Sequence, residues 1–472
     1  MQYESVNASR IVFFGDADHG KSTLMGYIFA ESQEIDIAEH MEEMREELGS
    51  GFKPDYCYSS LINSRNPDDT KQKYRTRSCH YRDFRMPDDD GYPLIIMMID
   101  TPGQTGSSFS RSLPNQEYGV ANGDIGIFCV EAKKIVDEED PEAVFRRIKM
   151  WLAFHPDRPK RRYVIALTKF DQLNYDERYY RECCEKIEEY LEPKDIIAVI
   201  PTAIDVNRQE GHNIFSLSEE MPWYTGSCLR DAIREQNFDI SNNEGMVPGA
   251  ARRKTVFSVK KEIPTPKSGA GKIWKIIVEN GTLGIGDRIR LVNVSLADGD
   301  GSQTFAEANV KNLIVETSLA TDEDEDDMTS ARRGQSASID LRYCHADGKK
   351  IQKKSIRTSA FTVGFGENVA YSLFDELFIR FRNAEDVLTA RSEKQEVILY
   401  YFGKPIPVNI TELSEEGIRV RPVSGRSLAF PDDEIMRGLP IFRNTVVRIP
   451  TEHDVFEYLP ARFDLALSEQ KK

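Results

Sequence analysis

The stretch Gly15-Asp16-Ala17-Asp18-His19-Gly20-Lys21-Ser22 decides the fold of the first half of this chain. It follows the apolar run Ile11–Phe14 and precedes a helix-forming segment that runs from Thr23 to Ala30. A strand, a Gly-x-x-x-x-Gly-Lys-Ser loop and a helix in this order hold nucleotide phosphates, because backbone N–H groups and a helix N-terminus face the anion. We expect Lys21 to reach the β- and γ-phosphates and Ser22 to bind Mg²⁺. The loop alone leaves both ATP and GTP open.

Composition indicates an acidic globular protein of 472 residues with a net charge of −16. That length suits two to four domains at roughly 150 residues each. The charge offers no broad basic surface for nucleic acid, although a local basic patch on an acidic protein stays open. Six acidic residues follow one another at 322–327. We interpret them as a solvated loop, with a specific basic partner as the alternative.

Cysteine usage and hydropathy indicate a reducing, aqueous compartment. The seven cysteines form no C-x-x-C pair, which favours reduced thiols over disulfides or a zinc site. We find no basic segment with an apolar stretch behind it at the N-terminus and no run of about 18 apolar residues. The sequence therefore predicts a cytoplasmic protein without a membrane span.

The first 235 or so residues alternate apolar strands with helical patterns. Strands are predicted at 10–14, 94–99, 125–130, 163–167 and 196–200, and helices at 21–30, 37–48, 141–154, 177–191 and 227–235. Several of these strands are continuously apolar, as strands covered by helices on both faces must be. We therefore predict an α/β nucleotide-binding domain with a mostly parallel sheet, in which ligands sit at the carboxyl ends of the strands.

The second half of the chain has a different pattern. Linker chemistry occupies 237–251, and short strands separated by Gly, Asn and Asp follow it. We predict such strands at 272–278, 287–294, 337–341, 362–365, 377–381, 396–402, 418–423 and 446–449. Regularly spaced short strands favour barrels or sandwiches. The predicted organisation is a nucleotide-binding domain at 1–236, a linker, and two β-barrels at 252–358 and 359–472.

Polar motifs follow two further apolar strands. Asp100-Thr101-Pro102-Gly103 comes after 94–99, where the Asp100 carboxylate can hold the water shell of Mg²⁺. Gly103 frees a backbone N–H for a γ-phosphate, and Gln104 can orient the attacking water. Thr168-Lys169-Phe170-Asp171 comes after 163–167. An aspartate there accepts two hydrogen bonds from guanine, whereas adenine offers no such donor pair. These motifs in this order therefore favour GTP over ATP as the bound nucleotide.

With these residues the chain resembles the translational GTPases, specifically the elongation factor Tu/1-alpha class and the related GTPase subunit of sulfate adenylyltransferase. The resemblance also rests on Met221-Pro222-Trp223-Tyr224-Thr225-Gly226, which closes the GTPase domain in this class, and on a barrel hairpin at 271–287. It is faint in the third domain, where it rests mostly on 440–446. The resemblance implies a P-loop GTPase domain followed by two β-barrels, with GTP or GDP and Mg²⁺ as cofactors.

Residue roles follow from the resemblance, position by position. The nucleotide contacts it implies are Asp16, Ala17, Asp18, His19, Gly20, Lys21, Ser22, Thr23, Gly103, Thr168, Lys169, Asp171, Thr202, Ala203 and Ile204. The implied Mg²⁺ ligands are Ser22, Thr76 and Asp100, and Asp18 matches a position that can help hold a monovalent cation. The implied catalytic residues are Lys21, Thr76 and Gln104.

Three departures from the class qualify this assignment. Gln104 stands where the class has histidine, and Thr168 stands where it usually has asparagine. The Arg-Gly-Ile-Thr-Ile switch segment is missing, and distance along the chain makes Thr76 the candidate switch threonine, with an ordinary loop threonine as the alternative. Arg75 or Arg77 is a candidate arginine finger, against the simpler interpretation of a solvated basic loop.

Three functions remain open from the sequence. The first is a GTP-controlled switch that acts on a ribosome, on tRNA or other RNA, or on a protein partner. The second is the regulatory GTPase subunit of a sulfate-activating complex, which requires a catalytic partner protein. The third is a scaffold that binds GTP without hydrolysing it.

Overall fold

The computed structural model describes residues 9–54, 56–63, 76, 79–86, 94–103, 109–137, 141–156, 162–244, 254–264, 272–296, 305–315, 329–344, 356–357, 359, 361–383, 397–433, 437, 440–450 and 456–470. The chain divides into two compact units, Met1–Glu244 and Gly245–Lys472. Among these described residues, no helix is long and apolar enough to cross a membrane.

A six-stranded sheet forms the centre of the first unit, with the order β2-β3-β1-β4-β5-β6. Its strands are β1 (Ser9–Phe14), β2 (His80–Met86), β3 (Leu94–Asp100), β4 (Ile125–Glu131), β5 (Tyr163–Thr168) and β6 (Ile196–Pro201). All neighbours from β3 to β6 pair in parallel, and β2 pairs antiparallel with β3 at the edge. The five strands predicted from continuous apolar runs are confirmed, and the predicted α/β class with them.

Helices accompany this sheet, and all five predicted ones are found. They are α1 (Lys21–Ser32), α2 (Ile37–Leu48), α3 (Tyr56–Ile62), α4 (Phe109–Ala121), α5 (Ala132–Asp137), α6 (Pro141–Phe154), α7 (Glu177–Tyr190) and α8 (Leu229–Glu244). Asp36 caps α2 by accepting a hydrogen bond from the Glu39 N–H, and Asp176 caps α7 in the same way from Arg178. The sequence did not predict α3, α4 or α5.

The predicted linker needs a correction at its start. Helix α8 begins at Leu229, not at Ser227, and continues to Glu244, so that 237–244 is helical. The segment is rich in Asn and Asp, which favour turns in isolation. A helix that is already nucleated gains one hydrogen bond for each residue that it adds, and α8 extends through this segment. The complete set of predicted domain boundaries stays a prediction.

The second unit begins with a closed six-stranded barrel in the order β10-β16-β14-β12-β18-β9. Its strands are β9 (Val256–Pro264), β10 (Lys272–Asn280), β12 (Arg288–Val292), β14 (Phe305–Val315), β16 (Ser336–Cys344) and β18 (Val363–Gly366). Short pairs flank the barrel, namely β11 (Thr282–Gly284) with β15 (Ser330–Arg332) and β13 (Ser295–Leu296) with β17 (Ile356–Arg357). Alternating inward residues fill the core, Trp274 and Ile276 among them.

A second ring of six strands follows. It contains β19 (Tyr371–Phe381), β20 (Val397–Tyr401), β21 (Lys404–Leu413), β22 (Gly417–Pro422), β24 (Asn444–Pro450) and β25 (Phe456–Gln470), and closes because β22 also pairs with β19. Strand β23 (Leu428–Pro431) pairs with β19, and a short helix α9 (Pro440–Arg443) precedes β24. The Asn293 amide joins the barrels by donating to the Phe361 and Ser427 carbonyls. The predicted GTPase-like α/β domain with two following barrels is confirmed.

Candidate nucleotide-binding site

The phosphate loop lies between the end of β1 and the start of α1. Gly15 has a φ of +140°, and a Cβ there would lie 2.2 Å from the Cys129 carbonyl oxygen. Gly20 has a φ of +77° at the N-cap of α1. At Gly15 a side chain would meet both the positive φ and the Cys129 carbonyl oxygen, so only glycine fits at this position without strain.

The Lys21 side chain is buried within this loop, with 5% of the residue exposed. Its Nζ donates a 2.6 Å hydrogen bond to the Asp16 carbonyl oxygen. Burial lowers the pKa of the Lys21 ammonium group, and the nearby Asp100 carboxylate opposes that shift. The loop therefore holds a cation at the position where the sequence predicts contact with phosphates.

Three oxygen-bearing side chains meet beside this loop. Asp100 Oδ2 accepts hydrogen bonds from Ser22 Oγ at 2.7 Å and from Thr76 Oγ1 at 2.8 Å. The two hydroxyl oxygens are 2.9 Å apart. Thus the three residues predicted as Mg²⁺ ligands lie together, although Thr76 and Asp100 come from different segments of the chain.

The chemistry of this cluster fits Mg²⁺. Asp100 is fully buried, and its Oδ1 atom has no hydrogen-bond partner within the described part of the chain. Burial raises the pKa of Asp100, whereas Lys21 and the two hydroxyl groups lower it. Mg²⁺ prefers hard oxygen ligands and is commonly held by one or two protein groups together with substrate phosphates. The described ranges contain no group of three His, Cys, Asp or Glu residues arranged for a metal.

Gly103 brings the end of the Asp-Thr-Pro-Gly motif against the loop. A Cβ at this position would lie 2.4 Å from both the N and the Cα atoms of Ala17. The next residue, Gln104, lies outside the described residues, as do Arg75 and Arg77. The predicted catalytic role of Gln104 and the predicted arginine finger therefore stay predictions.

The base motif approaches the phosphate loop from β5. Thr168 Oγ1 donates a 3.0 Å hydrogen bond to the His19 carbonyl oxygen. The Phe170 N–H donates to the Thr202 carbonyl oxygen at 3.2 Å, which joins the ends of β5 and β6. Ala203 follows on β7 (Ala203–Asp205), paired with β8 (Glu210–His212). Asp171 follows β5 at the same edge of the sheet as the phosphate loop.

The closing motif of the domain supports this turn. Trp223 Nε1 donates a 3.0 Å hydrogen bond to the Tyr175 carbonyl oxygen, four residues after Asp171. The Trp223 ring lies 5.9 Å from the Phe170 ring, between their centroids. Trp223 of the Met-Pro-Trp-Tyr-Thr-Gly segment therefore packs against the base motif.

Two carboxylate–cation pairs at this site were not predicted from the sequence. Lys169 Nζ lies 2.8 Å from Glu131 Oε2, at the end of β4. Arg147 of α6 contacts Asp16 Oδ1 through Nη2 at 3.0 Å and through Nε at 3.1 Å. A signal for Arg147 did exist, since Val144 and Trp151, which share its face of the helix, are apolar and buried.

His19 and Asp18 of the loop are also predicted to contact the nucleotide. Burial lowers the pKa of the His19 imidazole to about 4, so the ring is neutral at neutral pH. Its Nδ1 atom is buried and has no partner among the residues that the structure describes. Asp18 has a φ of +63° and is exposed, and its predicted part in holding a monovalent cation stays a prediction.

Residues 7–314 match the profile of the family described as the elongation factor Tu GTP binding domain. The chain belongs to this family of GTPases. Among characterised relatives, elongation factor 1-alpha of Thermococcus kodakarensis is 27% identical over 284 residues, which cover 59% of this chain and 56% of that protein. The Archaeoglobus fulgidus elongation factor 1-alpha is 26% identical over 287 residues, or 59% of each chain. The matched region thus spans less than two thirds of these elongation factors.

Solved structures of a GTPase-like domain and of a translation elongation factor share the fold over almost the whole chain. The Saccharomyces cerevisiae Ski7 GTPase-like domain bound to GTP matches with a TM-score of 0.68 and 13% identity, covering 97% of this chain and 96% of that one. Elongation factor SelB from Methanococcus maripaludis, in complex with a GTP analogue, matches with a TM-score of 0.57 and 11% identity, covering 98% and 80%. At these identities the likeness shows the fold of the family and nothing further.

Proposed function

We propose that this chain is a guanine-nucleotide switch that binds GTP with Mg²⁺ and hydrolyses it to GDP and phosphate. The proposal rests on one observation. The Ser22 and Thr76 hydroxyl groups both donate to the same Asp100 carboxylate oxygen, and the three oxygen atoms lie within 2.9 Å of one another. Two hydroxyl groups and a buried carboxylate beside a phosphate loop match the ligand chemistry of Mg²⁺ in nucleotide sites.

Each residue of the site has a proposed part in binding. The loop N–H groups and the start of α1 face the phosphates, and the Lys21 ammonium turns from the Asp16 carbonyl to a phosphate oxygen. Asp171 selects guanine, with Lys169 along the base and Thr202, Ala203 and Ile204 supplying backbone contacts. When bound, Mg²⁺ neutralises charge that develops on the phosphates.

The switch itself is proposed to depend on Thr76 and Gly103. Both lie on segments that reach the phosphate loop from outside it, Thr76 by its hydroxyl group and Gly103 by close backbone contact with Ala17. A γ-phosphate would order these two segments, and its loss would release them. Gln104, the next residue after Gly103, is proposed to orient the attacking water.

The partner is proposed to be a ribosome or an RNA in the cytoplasm, since family members of known function include elongation factors. The test measures GTP turnover by the purified chain with and without ribosomes, and identifies the RNA and protein that copurify. We expect ribosomes to raise turnover, and Gln104→Ala to reduce it while nucleotide binding is nearly unchanged. GTP binding without turnover under either condition would instead indicate a scaffold, and copurification of a sulfurylase would indicate a sulfate-activating complex.

A further inference from the structure

The phosphate loop carries its own negative charge at Asp16. This carboxylate is one third exposed, and the carbonyl oxygen of the same residue accepts a hydrogen bond from the Lys21 ammonium. A loop that binds phosphates through N–H groups and a helix N-terminus loses attraction when a carboxylate stands in it, because like charges repel. Without a partner for its charge, the Asp16 carboxylate would therefore weaken the attraction of the loop for phosphates.

Arg147 of helix α6 pairs with the Asp16 carboxylate. Its Nη2 and Nε atoms lie 3.0 Å and 3.1 Å from the same Asp16 oxygen, and only 8% of its side chain is exposed. A guanidinium presents its N–H donors in a rigid planar fork, which fixes the direction of its hydrogen bonds to a carboxylate. The two residues are 131 positions apart in the chain, so that α6 and the loop are joined by this pair.

A second contact holds the first residue of the same loop. Gln116 of α4 donates a 3.3 Å hydrogen bond from Nε2 to the Gly15 carbonyl oxygen. Gln116 is fully buried, and its Oε1 atom has no partner in the part of the chain that the structure describes. The start of the loop is thus held by α4, and its second residue by α6.

We propose that Arg147 is a positioning residue for nucleotide binding that acts through Asp16. It cancels the charge that Asp16 brings into the anion site and fixes the loop in the conformation that receives phosphates. This inference rests on the proposed function, since it concerns affinity for the same nucleotide.

If Arg147 acts by cancelling the charge of Asp16, the two single substitutions should not change nucleotide affinity in the same direction. Arg147→Met leaves the Asp16 carboxylate unpaired beside the phosphates and weakens binding. Asp16→Asn leaves the Arg147 cation beside the phosphates and does not weaken binding. The double variant Asp16→Asn with Arg147→Met removes both charges, so that affinity for the nucleotide returns close to that of the wild type. A contact that mattered only for packing would weaken binding in both single variants.

The experiment measures dissociation constants of fluorescent GDP and GTP for the full chain and these three variants. We expect Arg147→Met to weaken binding by about tenfold, the size of one unit charge acting over about 10 Å at an effective dielectric constant near 20. The Asp16→Asn constant should be equal to or lower than that of the wild type, and the double variant should lie within about threefold of it. The weakening in Arg147→Met should shrink as salt is raised.

Arg146→Met is the matched control, because Arg146 is the exposed neighbour on the same helix and carries the same charge. Circular dichroism on heating checks that each variant is folded, and if Arg147→Met is not, Asp16→Asn and the double variant still carry the comparison. Weaker binding in both single variants, or equal constants in all variants, overturns the inference. A wild type that binds neither nucleotide overturns the proposed function itself, which separates that failure from failure of the charge argument.

Discussion

Removal of the Thr76 hydroxyl group is expected to lower affinity for GTP and to leave affinity for GDP nearly unchanged. Thr76 Oγ1 lies 2.8 Å from Asp100 Oδ2 and 2.9 Å from Ser22 Oγ. If Mg²⁺ binds at this point, Thr76 becomes one of its ligands only when a γ-phosphate holds the segment closed. Thr76→Ala removes that ligand and keeps Ser22 and Asp100 in place.

The size of the effect follows from the chemistry of the hydroxyl group that Thr76→Ala removes. We take the contact of this hydroxyl group with Mg²⁺ to be worth what a hydrogen bond to a charged group contributes, about 1.5 to 3 kcal/mol. Because about 1.4 kcal/mol is a factor of ten in an equilibrium constant, the ratio of GTP to GDP affinity should fall by about tenfold to a hundredfold. Thr76→Ser keeps the hydroxyl group and serves as the control.

The assay measures the two affinities by isothermal titration, at saturating Mg²⁺ and again with the metal chelated. We expect the difference between Thr76→Ala and the wild type in the GTP-to-GDP ratio to shrink without Mg²⁺, because the hydroxyl group then keeps only its hydrogen bonds to Asp100 and Ser22. A GTP-to-GDP ratio equal to that of the wild type at saturating Mg²⁺ would refute the assignment of Thr76. So would an equal decrease of GDP and GTP affinity in the alanine variant.

Two further predictions concern the frame around the site. Arg10→Met should lower the free energy of unfolding by about 3 to 5 kcal/mol, because it removes the buried guanidinium that pairs with the Asp124 carboxylate at 3.1 Å. Adding Asp124→Asn should recover much of that stability in urea titrations, and no recovery would contradict the reasoning. Gly15→Ala should cost about 2 to 5 kcal/mol and abolish nucleotide binding, since its Cβ would lie 2.2 Å from the Cys129 carbonyl oxygen at a φ of +140°. Gly51→Ala is its control, with no atom within 4 Å of the added Cβ, and equal melting temperatures for the two variants would count against the steric argument.

The sequence predicted the parallel strands of the sheet well because burial on both faces forces continuous apolar runs. It did not predict β2, in which His80, Arg82, Asp83 and Arg85 interrupt the apolar residues. A strand at the edge of a sheet tolerates these charges, so it carries no continuous apolar signal.

The residues of the site are also of two kinds: those that the neighbouring sequence predicts, and those that only the folded chain brings together. The phosphate loop and the end of β5 were predicted because their function depends on glycine and on residues close together in sequence. The Asp16–Arg147 pair was not predicted, because its members are 131 positions apart and α6 meets the loop only in the folded chain. Thr76 was predicted only as a candidate, and its contact with Asp100 required the structure.

The central claim is that the site selects guanine through Asp171, and a nucleotide titration of Asp171→Asn tests it most directly. In the proposed site the carboxylate would accept two hydrogen bonds from guanine, whereas an amide would both donate and accept, as xanthine requires. We predict that the wild type binds GDP and GTP in preference to ADP and ATP, and that Asp171→Asn weakens GTP and strengthens xanthosine triphosphate by at least about tenfold each. An unchanged preference in Asp171→Asn, with both proteins folded, would contradict the account.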